Sequence, residues 1–230
     1  MRLGPYSGGE RAVYRCRPGA WLGAYITSSH EARAFELFKS CRVLSARQVE
    51  LLGGRRGVLS GLVKKGYLDV YECSASPSLY APSAAGAEAL GIEYEVYGVV
   101  ELLRLAAANQ AWAQMSRLWP DAVWECSPEV SALARGGDRL HVIAPRNYLG
   151  EDAYAWQRMN ALMGSRVLVV ASCMAQAERL TGAPPEAVVR YTWDIALGKG
   201  FRVYRWAGGG FVLEFEWPQE PAAENRGGSL

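Results

Sequence analysis

Histidine and cysteine are scarce in this 230-residue chain, which has two histidines, His30 and His141, and five cysteines, Cys16, Cys41, Cys73, Cys126 and Cys173. The cysteines are dispersed and odd in number. None stands in a Cys-x-x-Cys pair, and neither histidine lies at a metal-ligand interval from them. That argues against a disulfide framework and a structural zinc site, and it suits a reducing, cytoplasmic compartment. Long apolar runs are missing too. None approaches the roughly 18–20 residues that would span a bilayer, and no apolar segment follows Arg2 to make an export signal. The expectation is a protein with no membrane partner. There is also no Gly-x-Ser-x-Gly elbow, no Walker loop and no Gly-x-Gly-x-x-Gly followed by a suitable acid. Nothing in the sequence therefore asks for a cofactor.

What is present is ordinary globular composition, 50% hydrophobic and 21% charged, enough to bury a core in one large domain or two small ones. The formal charge of +2 conceals an asymmetry. Residues 1–91 carry 12 Lys and Arg against 7 Asp and Glu, a net +5; residues 92–230 carry 13 against 16, a net −3. A basic N-terminal part suits a polyanionic partner.

Turn signals at Gly4-Pro5, Gly8-Gly9 and Pro18-Gly19 break up residues 1–28. Residues 11–17 fit a strand and residues 21–27 a second strand or an ordered arm; the pattern decides neither. From Ser28 the reading sharpens. Ser28 and Ser29 offer a cap, Glu31 sits in the first turn, and Ala34, Phe35, Phe38 and Cys41 share a helical face. Ser45 and Gln48 have the capping-box spacing, and Gly53-Gly54 ends that second helix. A third helix is expected from Arg55 to Lys65 on the stripe Val58, Leu59, Leu62 and Val63. The period then changes to two. Residues 67–73 read as a strand with Leu68 and Val70 on one face and Tyr67, Asp69 and Tyr71 on the other. A return strand at Leu79-Tyr80-Ala81 and a short helix from Ser83 to Leu90 follow. This order predicts a winged helix over 29–91.

Beyond a boundary near residues 91–97, a long helix over 97–117 precedes alternating elements: strands at 122–126, 139–144, 166–171, 188–195, 201–206 and 211–217, and helices at 152–163 and 174–180. The fold class is therefore mixed α+β and α/β, with an N-terminal winged helix-turn-helix followed by a mixed α/β domain. The expected divisions are an arm over 1–28, a DNA-binding domain over 29–91, an α/β domain over 92–217 and a flexible tail over 218–230.

The third helix holds the strongest functional candidates. Its apolar stripe is committed to the core, so Arg55, Arg56, Ser60, Lys64 and Lys65 fall off it, and Arg47 joins them from the second helix. Arginines at the leading end of such a helix pair with guanine or hold phosphate, while trailing lysines suit the backbone. Gly57 and Gly61 each cost that helix about 1 kcal/mol against alanine, which calls for a reason. In the second domain, Pro120-Asp121 before a strand and Ala144-Pro145-Arg146 at the end of another invite a metal-dependent nuclease reading. Such a centre needs acids at both places and a lysine to orient water. Here Ala144 and Arg146 stand in two of those positions, so no catalytic or metal residue is assigned.

The stretch Leu44-Ser45-Ala46-Arg47-Gln48-Val49, with Leu59, Leu62, Gly66-Tyr67-Leu68, Leu79-Tyr80-Ala81-Pro82-Ser83, Gly86 and Leu90, resembles a bacterial winged helix. It is similar to the replication-relaxation proteins of plasmids and integrative elements. The long helix, Trp119-Pro120-Asp121-Ala122, the strand through His141, the helix with Trp156 and residues 167–170 follow that family's layout. The resemblance implies a winged helix before a nuclease-like α/β domain, with an acid in the strand Leu140 to Ala144. This chain has none there, so the second domain is expected to be a degenerate, non-catalytic version. The expected function is double-stranded DNA binding, as a dimeric transcription regulator or a plasmid or mobile-element maintenance factor. The alternative is a metal-dependent DNA-nicking or relaxation enzyme.

Overall fold

The computed structural model describes residues 5–7, 14–19, 25–73, 76–127, 131–182, 188–198 and 200–218. The expected tail beyond Pro218, and most of the N-terminal arm, lie outside these. The architecture is mixed α and β with two sheets.

The first unit begins with strand β1 (Arg15–Arg17) and helix α1 (Ser29–Cys41), which starts where the Ser28 hydroxyl accepts from the His30 N–H and buries Ala34, Phe35, Phe38 and Cys41. A two-residue strand β2 (Leu44–Ser45) leads into α2 (Ala46–Leu51). The capping box is complete: the Gln48 N–H donates to Ser45 Oγ at 3.3 Å, and the Ser45 N–H donates to Gln48 Oε1 at 2.8 Å. A turn through Gly53 follows, then a single 3-10 turn (Arg56–Val58), then α3 (Leu59–Lys64) with Leu59 and Leu62 buried. The expected helix from Arg55 to Lys65 is thus shorter. Arg55 is extended, with φ −111° and ψ 118°, and it makes no side-chain cap. With no cap and with glycine at position 57, the first turn lacks the support that a regular α-helical turn needs.

Strands β3 (Leu68–Glu72) and β4 (Leu79–Pro82) form a hairpin, and α4 (Ala84–Leu90) runs from the Ser83 cap to left-handed Gly91. The sheet order is β1-β3-β4-β2. Strand β1 pairs with the outer edge of β3, and Tyr67, Asp69 and Tyr71 are buried as well as Leu68 and Val70. Asp69 is satisfied there by the Gly19 N–H, 2.9 Å away.

The long helix α5 (Val99–Met115) comes next. It is followed by β5 (Val123–Cys126), β6 (Ser131–Arg135), β7 (Asp138–Ile143), α6 (Glu151–Ala161), β8 (Arg166–Ala171), α7 (Met174–Arg179), β9 (Val188–Trp193), α8 (Asp194–Gly198), β10 (Gly200–Trp206) and β11 (Phe211–Pro218). The second sheet has the order β11-β10-β9-β8-β7-β6-β5. Strands β7, β8 and β9 are parallel, and the flanking strands are antiparallel. Strand β6 was not expected. Ser-Ala-Leu-Ala-Arg is poor in β-branched and aromatic residues; the Gly136-Gly137 turn and its pairing with β5 and β7 hold it in place.

Helix α5 is buried nearly all round, which marks a helix enclosed by its own protein rather than lying on its surface. One buried cluster runs from Phe35, Phe38 and Leu62 through Leu102, Leu103 and Ala106 to Trp124, Leu168 and Val170. A second lies on the other sheet face, where α6 and α7 contribute Ala155, Met159, Ala177 and Leu180. The first cluster crosses residues 91–97 without a break, so the expected boundary does not divide the core. Asn109 is the polar joint within it. Its Nδ2 donates to the Cys41 and Val43 carbonyls, each at 2.7 Å, and its Oδ1 accepts from Trp124 Nε1 at 2.8 Å. No helix among the described residues is long and apolar enough to cross a membrane.

Candidate nucleic-acid interface

Helices α2 and α3 present their polar sides outward because their apolar sides are held from within. Gln48 and Val49 are buried on α2, and Gln48 Nε2 donates to the Ala106 carbonyl of α5 at 2.6 Å. Arg47, beside it, is exposed. On the other side of the turn, Arg55, Arg56, Ser60 and Lys64 are exposed while Leu59 and Leu62 point inward. Arg56 reaches back to Glu50, with Nε 3.1 Å from the carboxylate, and both side chains are solvated. An exposed pair of this kind contributes little to stability, so Arg56 can exchange its partner for a phosphate at small cost.

Lys65 is placed differently. Its Nζ lies 2.9 and 2.7 Å from the two carboxylate oxygens of Glu31 on α1, and only 20% and 13% of the two side chains are exposed. Lys65 therefore ties α3 to α1 and is not part of the outward cationic set. The same pair accounts for Gly61: a Cβ there would stand 3.1 Å from Glu31 Oε1. Glycine leaves the space that the carboxylate occupies. Gly57 has no such neighbour within 4 Å, and nothing in the structure explains its presence. Beside α3, β1 adds exposed Arg15 and Arg17, the latter paired with Glu72 at 2.9 Å.

The nuclease-like positions do not converge. With β6 inserted, β5 and β7 run in the same direction. Asp121 therefore lies at the end of the sheet where β7 begins, and Ala144 at the end where β7 finishes. Five or more residues of strand separate these levels, on the order of 20 Å at strand rise. Asp121 is exposed and accepts both contacts from Arg135 Nε at 3.0 Å; that hydrogen bond holds its carboxyl below the usual range. Among the described residues, no three His, Cys, Asp or Glu side chains gather closely enough to hold a metal.

Arg146 is fully buried at the carboxyl ends of the three parallel strands. Its guanidinium donates to the Ala144 carbonyl at 3.1 Å, the Tyr6 carbonyl at 3.0 Å, the Val170 carbonyl, and both oxygens of Asp194 at 3.0 and 3.1 Å. Ser7 Oγ adds a bond to Asp194 Oδ2 at 3.1 Å. Burial pushes the Asp194 carboxyl up, and the Arg146 charge works against that. Crevices at this end of parallel strands commonly receive ligands. Here the chain's own Tyr6 and Ser7 fill it. The Tyr6 hydroxyl continues to Ser45 Oγ, the α2 cap, at 2.8 Å. Nothing in the spacing of Tyr6, Ser7, Arg146 and Asp194 signals that they meet.

Comparison of the chain with family models, curated proteins and solved structures found no match in any of the three.

Proposed function

We propose that this protein binds double-stranded DNA in the cytoplasm through a winged helix built from α1, β2, α2, α3 and the β3–β4 hairpin. It would act as a transcription regulator or as a maintenance factor of a plasmid or mobile element, in the manner the replication-relaxation resemblance implies. The observation that carries this reading is the exposed cationic set at the leading end of α3. Arg55, in extended backbone, and Arg56, in the 3-10 turn that leads into α3, are exposed together with Arg47 of α2, while the inner sides of α2 and α3 are tied to α5 and α1. Arginine at the leading end of the second of two such helices reads guanine in the major groove or grips phosphate, and Lys64 at the trailing end suits the backbone. The β3–β4 hairpin, with β2 paired to β4, supports this reading as the candidate wing.

The second unit supplies a homodimer interface in this reading. Its outer strand β11 exposes Val212, Leu213 and Phe215, and its Glu214 and Glu216 are paired with Arg190 of β9 and Arg202 of β10. No arrangement described above favours metal-dependent nicking. The test is fluorescence anisotropy on duplexes selected from a random pool, read against salt. Each phosphate contact contributes about 0.9 to the slope of log affinity against log salt. Sequence-preferring, salt-sensitive binding that weakens about tenfold in Arg55→Ala, by a lost base contact worth roughly 1–3 kcal/mol, supports the reading. Absence of binding at low salt overturns it.

A further inference from the structure

We propose that β1 is the outer strand of a three-stranded wing and that its Arg15 and Arg17 contact the DNA backbone. This inference rests on the DNA-binding reading above and carries the contact surface into the N-terminal arm, outside residues 29–91. Strand β1 lies at the edge of its sheet and sets Arg15 opposite Glu72, Cys16 opposite Tyr71 and Arg17 opposite Val70 of β3. All three β1 residues are exposed. Alternation puts Arg15 and Arg17 on one face and Cys16 on the other. Glu72 is the acid on the arginine face. Arg17 takes it at 2.9 Å, with 66% and 51% of the two side chains exposed. Asp69, the other acid in β1, β3 and β4, falls on the opposite face and is buried. Arg15 makes no hydrogen bond or ion pair among the described residues.

The strand is held at both ends. Past Arg17, the Gly19 N–H donates to Asp69 Oδ1 at 2.9 Å. A Cβ at Gly19 would stand 3.0 Å from Gly66 Cα and 3.1 Å from the Val63 carbonyl oxygen. The chain therefore passes the turn between α3 and β3, where Lys64 is exposed. Before Arg15, the Tyr14 hydroxyl donates to the Pro77 carbonyl at 3.4 Å, in the loop between β3 and β4. Lys64, Arg17 and Arg15 thus follow one another from the trailing end of α3 toward the hairpin loop. Strand rise sets the two arginines about 7 Å apart, so each can hold its own phosphate. A backbone fixed by pairing before DNA arrives has little freedom left to lose on binding. Arg17 can exchange the solvated Glu72 for a phosphate at small cost. These contacts add affinity and register but no sequence preference.

The experiment compares the full-length parent with Arg15→Gln, the Arg15→Gln/Arg17→Gln double variant and Glu72→Gln. Binding is read on the duplex the parent selects and on a scrambled duplex, between about 50 and 200 mM KCl. Arg205→Gln, at an exposed position of β10, is the control, and thermal melts run alongside. Arg15→Gln is expected to lower the salt slope by about 0.9, to weaken both duplexes by the same factor and to leave the melt unchanged; the double variant is expected to lose about twice that slope. Glu72→Gln frees Arg17 and is expected to tighten both duplexes about two- to fivefold, the worth of an exposed pair. A loss of folding cannot imitate that gain. A parent-like slope in Arg15→Gln, with Arg55→Ala still impaired, overturns the β1 contact and leaves DNA binding standing. An equal loss of slope in Arg205→Gln marks a diffuse charge effect and overturns it too. Parent-like or weaker binding in Glu72→Gln overturns the part given to Arg17. A parent that binds neither duplex overturns the DNA reading itself.

Discussion

Replacing Arg146 with alanine tests whether that side chain serves the fold or a reaction. It is 0% exposed, and its guanidinium serves three carbonyls and both oxygens of Asp194, itself 2% exposed. Arg146→Ala leaves a carboxylate and those carbonyls without their partner, away from water. Removing one member of a buried ion pair costs about 3–5 kcal/mol, a large share of the roughly 5–15 kcal/mol that holds a domain together. At about 2–4 °C per kcal/mol for a chain of this size, the melting temperature should fall on the order of 10 °C. Urea unfolding followed by tryptophan fluorescence measures the loss directly. The charge itself is replaceable: in Arg146→Met with Asp194→Leu, apolar side chains take over the volume. Replacing a buried pair this way is often neutral or stabilising, so the double variant should recover much of the loss, although carbonyls formerly served by Arg146 stay unpaired. A lysine-like residue orienting water in a nuclease centre would behave otherwise, because its removal would abolish turnover and leave stability alone. If Arg146→Ala unfolds within about 1 kcal/mol of the parent, or if the double variant is no better than the single, the buried-pair account is wrong.

Gly86→Ala should destabilise by about 1–3 kcal/mol or more, because the added Cβ would overlap the Tyr67 carbonyl oxygen and backbone must move; a parent-like urea midpoint would count against this packing. Lys64 and Lys65 should separate cleanly: Lys64→Gln lowers the DNA salt slope by about 0.9 and leaves the melt unchanged, whereas Lys65→Gln lowers the melt and leaves the slope. Burial, together with Arg139 and Arg158, holds the His141 imidazole below its usual range. Its folded pKa lies below its unfolded one, so its contribution to stability is present above about pH 6.5 and is lost as pH falls through the folded value. Melts from pH 8 to pH 5 should therefore fall less steeply in His141→Gln than in the parent. Incubation with supercoiled plasmid and Mg²⁺ or Mn²⁺ should leave the plasmid intact; nicking that disappears in Asp121→Ala would restore the enzyme alternative.

Local chemistry was legible along the chain wherever a structure is settled by neighbours in sequence. The Ser45–Gln48 box and the Ser83 start of α4 act over a few residues, and their elements lie within a residue or two of where those signals put them. Arg47, Arg55, Arg56, Ser60 and Lys64 were readable as outward for the same reason, since an apolar stripe at helical period assigns the remaining positions to solvent.

What the sequence determined by itself is therefore the run of elements and the sidedness of their helices. Tertiary structure decided which charged groups are free and which are spent. Lys65 is bound because α1 brings Glu31 from 34 residues away. Arg146 is buried because β7 and β9 flank β8 in parallel, setting the ends of strands 48 residues apart side by side. Asp121 and Ala144 part company because an alanine-rich strand that no periodicity announces inserts between them and keeps β5 and β7 in the same direction. Each outcome depends on which strands pair and which helices pack. Those choices are settled by burial summed over the whole chain, a quantity that no local window contains.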